Sequence, residues 1–92
     1  MNKIFKYELM ESNRWLKLVL PKGHKVLHVD SQDGRMFLWA MVDDHSGPVE
    51  KEFILVGTGI DFDRIGFNKD QEYLGTFKCG VFIWHVFTKT GE

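Results

Sequence analysis

Ninety-two residues are enough for one domain, spanning residues 1–92, and leave no room for a second core. Twelve Lys and Arg stand against 13 Asp and Glu, a net charge of −1 with the signs interspersed, so no basic stripe could follow a phosphate backbone and nucleic acid is disfavoured as a partner. The lone cysteine, Cys79, excludes an internal disulfide, and the absence of an apolar leader or a run of membrane-spanning length leads us to expect a soluble, intracellular protein.

The chain opens on residues 3–9, where Phe5, Tyr7 and Leu9 share one face and Lys6 and Glu8 the other. That alternation predicts a half-buried strand at a sheet edge. A turn at residues 11–13 leads into residues 14–20, where Leu16, Leu18 and Leu20 alternate with Trp15, Lys17 and Val19. Pro21, Lys22 and Gly23 stop that strand. Residues 24–43 then read as two extended runs joined by Asp33-Gly34, a pair suited to a two-residue type I′ turn. A turn centred there sets Gln32 against Arg35, Asp30 against Phe37, Val29 against Leu38 and His28 against Trp39. This register assigns Leu27, Val29, Leu38 and Ala40 to one face, and Val26, His28, Asp30, Phe37, Trp39 and Met41 to the other. Residues 36–42 are apolar on both faces, which predicts a central strand covered on both sides.

Residues 44–48 carry the chemistry of a polar loop, and residues 52–56 form the next strand, ended by Gly57, Thr58 and Gly59. In residues 60–70, Asp61 could cap one helical turn carrying Phe62 and Ile65, cut short by Gly66; a plain loop fits as well. Residues 73–78 and 81–88 form a second hairpin across Cys79-Gly80, its last strand apolar on both faces and central, and residues 89–92 fray. The expected fold is all-β, a single small antiparallel sandwich or partly open barrel of about seven strands with at most one short helical turn. Eight Phe, three Trp and two Tyr are a heavy aromatic load for such a domain and admit a homo-oligomer.

Chemistry is sparse. His24 and His28 stand four apart, a metal-binding spacing on a helix, but on a strand their Cα atoms lie roughly 13 Å apart and cannot share a zinc ion. Gly57-Thr58-Gly59 follows a strand as a nucleotide-binding loop would, yet lacks the third glycine and the long helix that would hold a pyrophosphate. Asp43 and Asp44, and Asp61 and Asp63, could supply carboxylates from loops, where ordinary solvated loops look the same. Ser12, Ser31 and Ser46 have no nucleophile-elbow context, and Cys79 beside Lys78 is a lone thiol. No catalytic set, metal site or cofactor site emerges, and the chain reads as a non-enzyme. The most promising face carries His28, Asp30 and Trp39, with Trp84 and His85 joining it: aromatics beside a few polar groups suit a ligand pocket or a partner patch. A second core layer with its histidines bonded to backbone is the alternative.

Several blocks together resemble a family of short phage and prophage proteins that carry a domain of unknown function. They are Ile4-x-Lys6-Tyr7-Glu8-Leu9, Val26-Leu27-His28-Val29-Asp30 leading to Leu38-Trp39-Ala40-x-Val42-Asp43, Phe53-x-x-x-Gly57-Thr58-Gly59, and Tyr73-Leu74-Gly75-Thr76-Phe77 with Trp84-His85-Val86-Phe87. The resemblance spans nearly the whole chain and departs most over residues 59–72. It implies a bacteriophage origin, expression in the cytoplasm of the infected bacterium and no established catalytic residues. Small phage proteins of this size often act by binding, which makes the first expectation a non-enzymatic protein that engages a host bacterial protein and inhibits a defence component. Trp15, Phe67 and the charged loops 43–52 and 61–69 would then form its contact surface. A rival is an oligomeric sponge holding a nucleotide-like signalling molecule between subunits, through Trp39, His28 and the Gly57, Thr58, Gly59 loop. A minor structural component of the phage particle is a third reading.

Overall fold

A computed structural model describes residues 2–10, 12–66 and 70–90. The described residues form strands β1 (Asn2–Glu8), β2 (Trp15–Pro21), β3 (Lys25–Gln32), β4 (Arg35–Asp43), β5 (Pro48–Gly57), β6 (Gln71–Cys79) and β7 (Phe82–Lys89), with a 3-10 turn at Phe62–Arg64. All pairings are antiparallel. One sheet has the order β1-β4-β3 and the other β2-β5-β7-β6, an open two-layer sandwich rather than a closed barrel.

The β3–β4 hairpin forms as its turn chemistry requires. Asp33 and Gly34 hold φ of 53° and 76°, and Gln32, Asp30, Val29 and His28 face Arg35, Phe37, Leu38 and Trp39. β4 is central in its sheet, and Leu38, Ala40 and Val42 point inward and are buried. Opposite them lie Leu16 and Leu20 of β2, Phe53 and Leu55 of β5, and Val86 of β7. Each such fully buried aliphatic or aromatic side chain contributes on the order of 1.5–3 kcal/mol. The other face of β4 is not covered by a further layer of described residues. There Phe37 is buried under the stems of its neighbours, while Trp39 and Met41 stay half-buried.

Two bulges change the expected faces. The β3–β4 register shifts between Val26 and His28, so Leu27 turns outward and is exposed while Val26 packs against the core. This reverses the assignment of both residues, because one extra residue in a strand inverts the alternation beyond it. A matching shift between Tyr73 and Gly75 interrupts β6. β3 and β6 meet at the corner between the sheets, where Ser31 Oγ donates to the Lys78 carbonyl at 2.8 Å.

Other boundaries also move. β5 begins at Pro48, inside the expected polar loop, as the first residue of an edge pairing in which Pro21 faces Pro48 and needs no ladder donor. The second hairpin turns at Gly80 and Val81 rather than Cys79 and Gly80, since Cys79 pairs with Phe82 and Gly80 takes φ of 64°. Asp61 caps the 3-10 turn by accepting from the Asp63 amide at 3.0 Å, and Gly66 at φ of 67° ends the excursion. Residues 89–92, expected to fray, reach beyond the described residues at their end; Lys89 itself closes β7.

β1 is an edge strand whose ladder partner is β4, and ion pairs pin it at both ends. Lys3 Nζ meets Asp44 Oδ2 at 2.8 Å, and the Arg35 guanidinium grips both Glu8 oxygens, Nε to Oε2 at 2.9 Å. Such exposed pairs stabilise weakly, and the bidentate fork is the stronger of the two.

Two predictions arise here. A Cβ on Gly75 would lie 2.6 Å from Val29 Cγ2, too close for any side chain. Gly75→Ala should therefore destabilise by about 1–3 kcal/mol in urea melts, and should cost markedly less in a Val29→Ala background. Additive effects would show that the corner relaxes freely. The Arg35 fork depresses the Glu8 pKa below its ordinary 4.5. The stability this pair gives is present above that value and lost as pH falls through the depressed one. Thermal melts between about pH 3 and 6 should show a shallower acid loss for Arg35→Gln than for the parent.

Candidate functional site

The residues singled out in the sequence separate into two groups. His28, Asp30 and Trp39 lie together on the outer face of the β1-β4-β3 sheet. The His28 and Trp39 rings are 5.9 Å apart and tilted by 39°, and His28 Nε2 sits 3.4 Å from Asp30 Oδ2. Much of this face is occupied by its own side chains. Lys6 Nζ lies 4.5 Å over the Phe37 ring and donates to Gln32 Oε1 at 2.7 Å, while the Arg35 guanidinium lies 5.5 Å from the same ring. Long cationic stems thus roof the aromatic row and keep their charged ends in water.

Trp84 and His85 do not join that face. Adjacent residues on a strand point to opposite sides. Trp84 packs inward against the core, and His85 lies on the outer face of the four-stranded sheet. The expected five-residue cluster is therefore not formed within one chain, since His28 and His85 lie on the outer faces of different sheets.

The structure does bring His85 to the Gly57, Thr58, Gly59 loop. β5 carries four consecutive buried apolar residues, Phe53, Ile54, Leu55 and Val56, so both of its faces need cover. The opposite sheet covers Phe53 and Leu55. Residues 58–66 cross the outer face beside Ile54 and Val56, tied down where Trp15 Nε1 donates to the Gly66 carbonyl at 3.4 Å. At the end of β5, a Cβ on Gly57 would lie 3.3 Å from the inward-facing Trp84 ring, a tight contact that the ring would have to yield to by a few tenths of an ångström. Asn13, at φ of 57°, closes the end of β5 by donating to the Leu55 carbonyl at 2.6 Å and accepting from the Gly57 amide at 3.1 Å.

A chain of neutral side chains anchors this strap. Thr58 Oγ1 is 2.7 Å from His85 Nε2, Thr76 Oγ1 is 2.9 Å from His85 Nδ1, and the Tyr73 hydroxyl is 2.6 Å from Thr76 Oγ1. A neutral imidazole donates from one nitrogen and accepts at the other, so the hydroxyls at its two ends take opposite roles. The Thr58–His85 distance is that of a nucleophile and its base. Among the described residues the far nitrogen is held by a hydroxyl and not by a carboxylate, and the hydrogen bonds on both sides of the ring clamp the strap to β6 and β7.

Two hollows flank the strap. One, of about 330 Å³, is lined chiefly by Val56, Ile60, Phe62, His85 and Phe87; the other, of about 350 Å³, by Asn13, Thr58, Ile60, Val81, Phe82 and Ile83. The second opens beside the tip of the β6–β7 hairpin, where Val81 is 85% and Phe82 62% exposed. Ile83, Ile60 and Phe62 extend this apolar surface. The sequence reading missed it by taking residues 81–83 as a buried strand. The available signal was a valine at a two-residue turn, a position that polar residues usually occupy.

The remaining candidates are engaged locally. Asp44 is held below the usual carboxylate range by the Lys3 ammonium, and Asp43 by the His45 amide at 3.1 Å, the opposite of what a general acid needs. Trp15 is half-buried, with Lys89 Nζ 4.7 Å from its ring. Phe67 and Lys69 lie outside the described residues. Among the described residues no three His, Cys, Asp or Glu side chains converge as metal ligands, and no helix is long and apolar enough to cross a membrane.

Comparison with known proteins adds a family and no activity. No curated protein and no solved structure matches this chain. A family model does match, over residues 1–92, and the chain belongs to the family described as a domain of unknown function, DUF7352.

Proposed function

We propose that this chain is a phage-encoded, non-enzymatic binding protein that engages a host protein in the cytoplasm of the infected bacterium, inhibiting a defence component. The observation that supports protein binding is the apolar hairpin tip. Val81, Phe82 and Ile83 project beside Ile60 and Phe62 at one end of the sandwich, next to a hollow able to receive a partner's side chain. Contiguous exposed aliphatic and aromatic groups of this kind mark interaction surfaces, and a central aromatic such as Phe82 is the residue type that anchors them. The phage origin and the defence target rest on the sequence resemblance alone.

The sponge reading makes a different geometric demand. His28 and Trp39 lie on one outer face and the Gly57, Thr58, Gly59 loop on the other. A ligand that touched both sets would have to sit between two copies of the chain.

The test is affinity capture from bacterial lysate with the parent chain and with Phe82→Asp, followed by a measured Kd for whatever host protein is enriched. Phe82 is exposed, so the variant should unfold at close to the parental denaturant midpoint. It should bind its target at least about tenfold more weakly. Equal capture by both proteins would remove the tip from the interface. An oligomer that releases a nucleotide on denaturation and captures no protein would replace this reading with the sponge.

A further inference from the structure

At the opposite end of the sandwich from the apolar tip, the two sheets part around a cationic mouth. Strand β5 alternates strictly as it enters the core. Val49, Lys51, Phe53 and Leu55 face inward, paired with Leu20, Leu18 and Leu16 at the first three positions, while Glu50 and Glu52 face outward. Lys51 is thus placed, half-buried, in the row that otherwise builds the core. It lines a cavity of about 240 Å³ whose floor is Phe53, Val26 and Leu74, with His24, Lys25 and Glu72 among the polar groups around it. A second hollow of about 310 Å³ adjoins it, sharing His24 and Lys51 and adding Lys22 from the β2–β3 turn.

The charges at this mouth are unbalanced. The side-chain ammonium groups of Lys22, Lys25 and Lys51 have no ion-pair or hydrogen-bond partner among the described residues, in contrast to the charged ends of Lys3, Lys6, Lys89 and Arg35. The nearest acids on β5 do not compensate. Glu52 faces the other side and is held by Lys89 at 2.9 Å, and Glu50 shares that outer face. Among the described residues Glu72 is the one carboxylate lining either hollow, so three ammonium groups meet a single negative charge there. A lysine in an inward row is costly unless its ammonium is solvated or paired, and a bound anion would satisfy several of these donors at once.

His24 adds a directional group. Its Nδ1 lies 2.9 Å from the Pro21 carbonyl, which can only accept, so Nδ1 carries the proton and donates. That leaves Nε2 as the ring's remaining polar atom: it accepts from a protonated phosphate O–H when the ring is neutral and donates to an anion only when the ring carries a second proton.

From this arrangement we infer a binding site for a small phosphate-bearing anion, seated between Lys51 and His24 and flanked by Lys22 and Lys25. The volume of the inner cavity suits a phosphate or pyrophosphate group, and the adjoining hollow gives room for whatever carries it. The apolar floor of Phe53, Val26 and Leu74 excludes water from one side and strengthens the charge pairing. The site stands independently of the protein-binding tip.

The test is titration of the whole chain with inorganic pyrophosphate at constant ionic strength, followed by amide and His24 ring signals in NMR. Saturable shifts confined to residues 22–26, 49–53 and 72–74 are expected. Lys51→Gln should weaken binding about tenfold or more, and the exposed Lys25→Gln should weaken it separately. Lys17→Gln, on the outer face of β2, should leave it unchanged. Absence of saturation at millimolar pyrophosphate would overturn the site, as would an equal response in Lys17→Gln and Lys51→Gln. If Lys51→Gln fails to fold, the Lys25→Gln and Lys17→Gln pair decides.

Discussion

The contact on which this fold turns is the approach of β3 to β6 at Val29 and Gly75. Elsewhere the two sheets are held apart by a full thickness of side chains, but at this corner an added Cβ would stand 2.6 Å from a valine methyl. Glycine is required there for closeness and not for an unusual φ. Both strands are bulged just before the contact, at Leu27 and at Leu74, and bulges bend and twist a strand where an edge must turn. The corner brings Val26 and Leu74 into the core, leaves Leu27 in solvent and sets where the sandwich opens at each end.

Much of the strand content could be read from alternation, and the β3–β4 hairpin from Asp33-Gly34 alone. A turn with two positive φ angles fixes the register of everything that follows until a residue is inserted. The bulges were not legible for that reason. Leu27 and Leu74 are ordinary strand residues, and nothing local announces that a partner strand will skip them. The error spread to the candidate site. Reading residues 28, 30, 39, 84 and 85 as one face required two sheets to present the same side and two neighbours on β7 to point together. The link from Thr58 to His85 was missed because it joins positions 27 apart through a strap that carries no regular pattern. Of the two readings open for residues 60–70, a capped turn and a plain loop, the structure takes the first at Phe62–Arg64, where the Asp61 cap and Gly66 are local chemistry.

β5 explains why the outer face of the four-stranded sheet is not simply a wet surface. Ile54 is fully buried and Val56 nearly so, yet neither belongs to the cluster between the sheets. They form a second, smaller apolar layer with the strap, closed at one side by Trp15 and at the other by the His85 clamp. Its bonds to the strap are uncharged, in contrast to the ion pairs that hold β1. Neutral hydrogen bonds in a half-dry setting avoid the desolvation cost of a charge, which suits a segment that must lie flat on Ile54 and Val56.

The same strand fixes the distance between the two unusual surfaces. Gly57, beside the apolar tip, and Lys51, at the cationic mouth, are six residues apart on an extended strand that pairs with β2 over residues 48–54 and with β7 over residues 53–57, roughly 20 Å at the rise of a β-strand. No mononucleotide-sized ligand reaches across that span, so the tip and the mouth cannot be two halves of one small-molecule site. The surfaces also ask for different chemistry. The tip offers aliphatic and aromatic area with a recess beside it, suited to the side chains of a folded partner. The mouth offers excess positive charge over an apolar floor, suited to a compact anion. A chain of this size with two such ends, held at a fixed spacing by β5, has room for two different occupants at once.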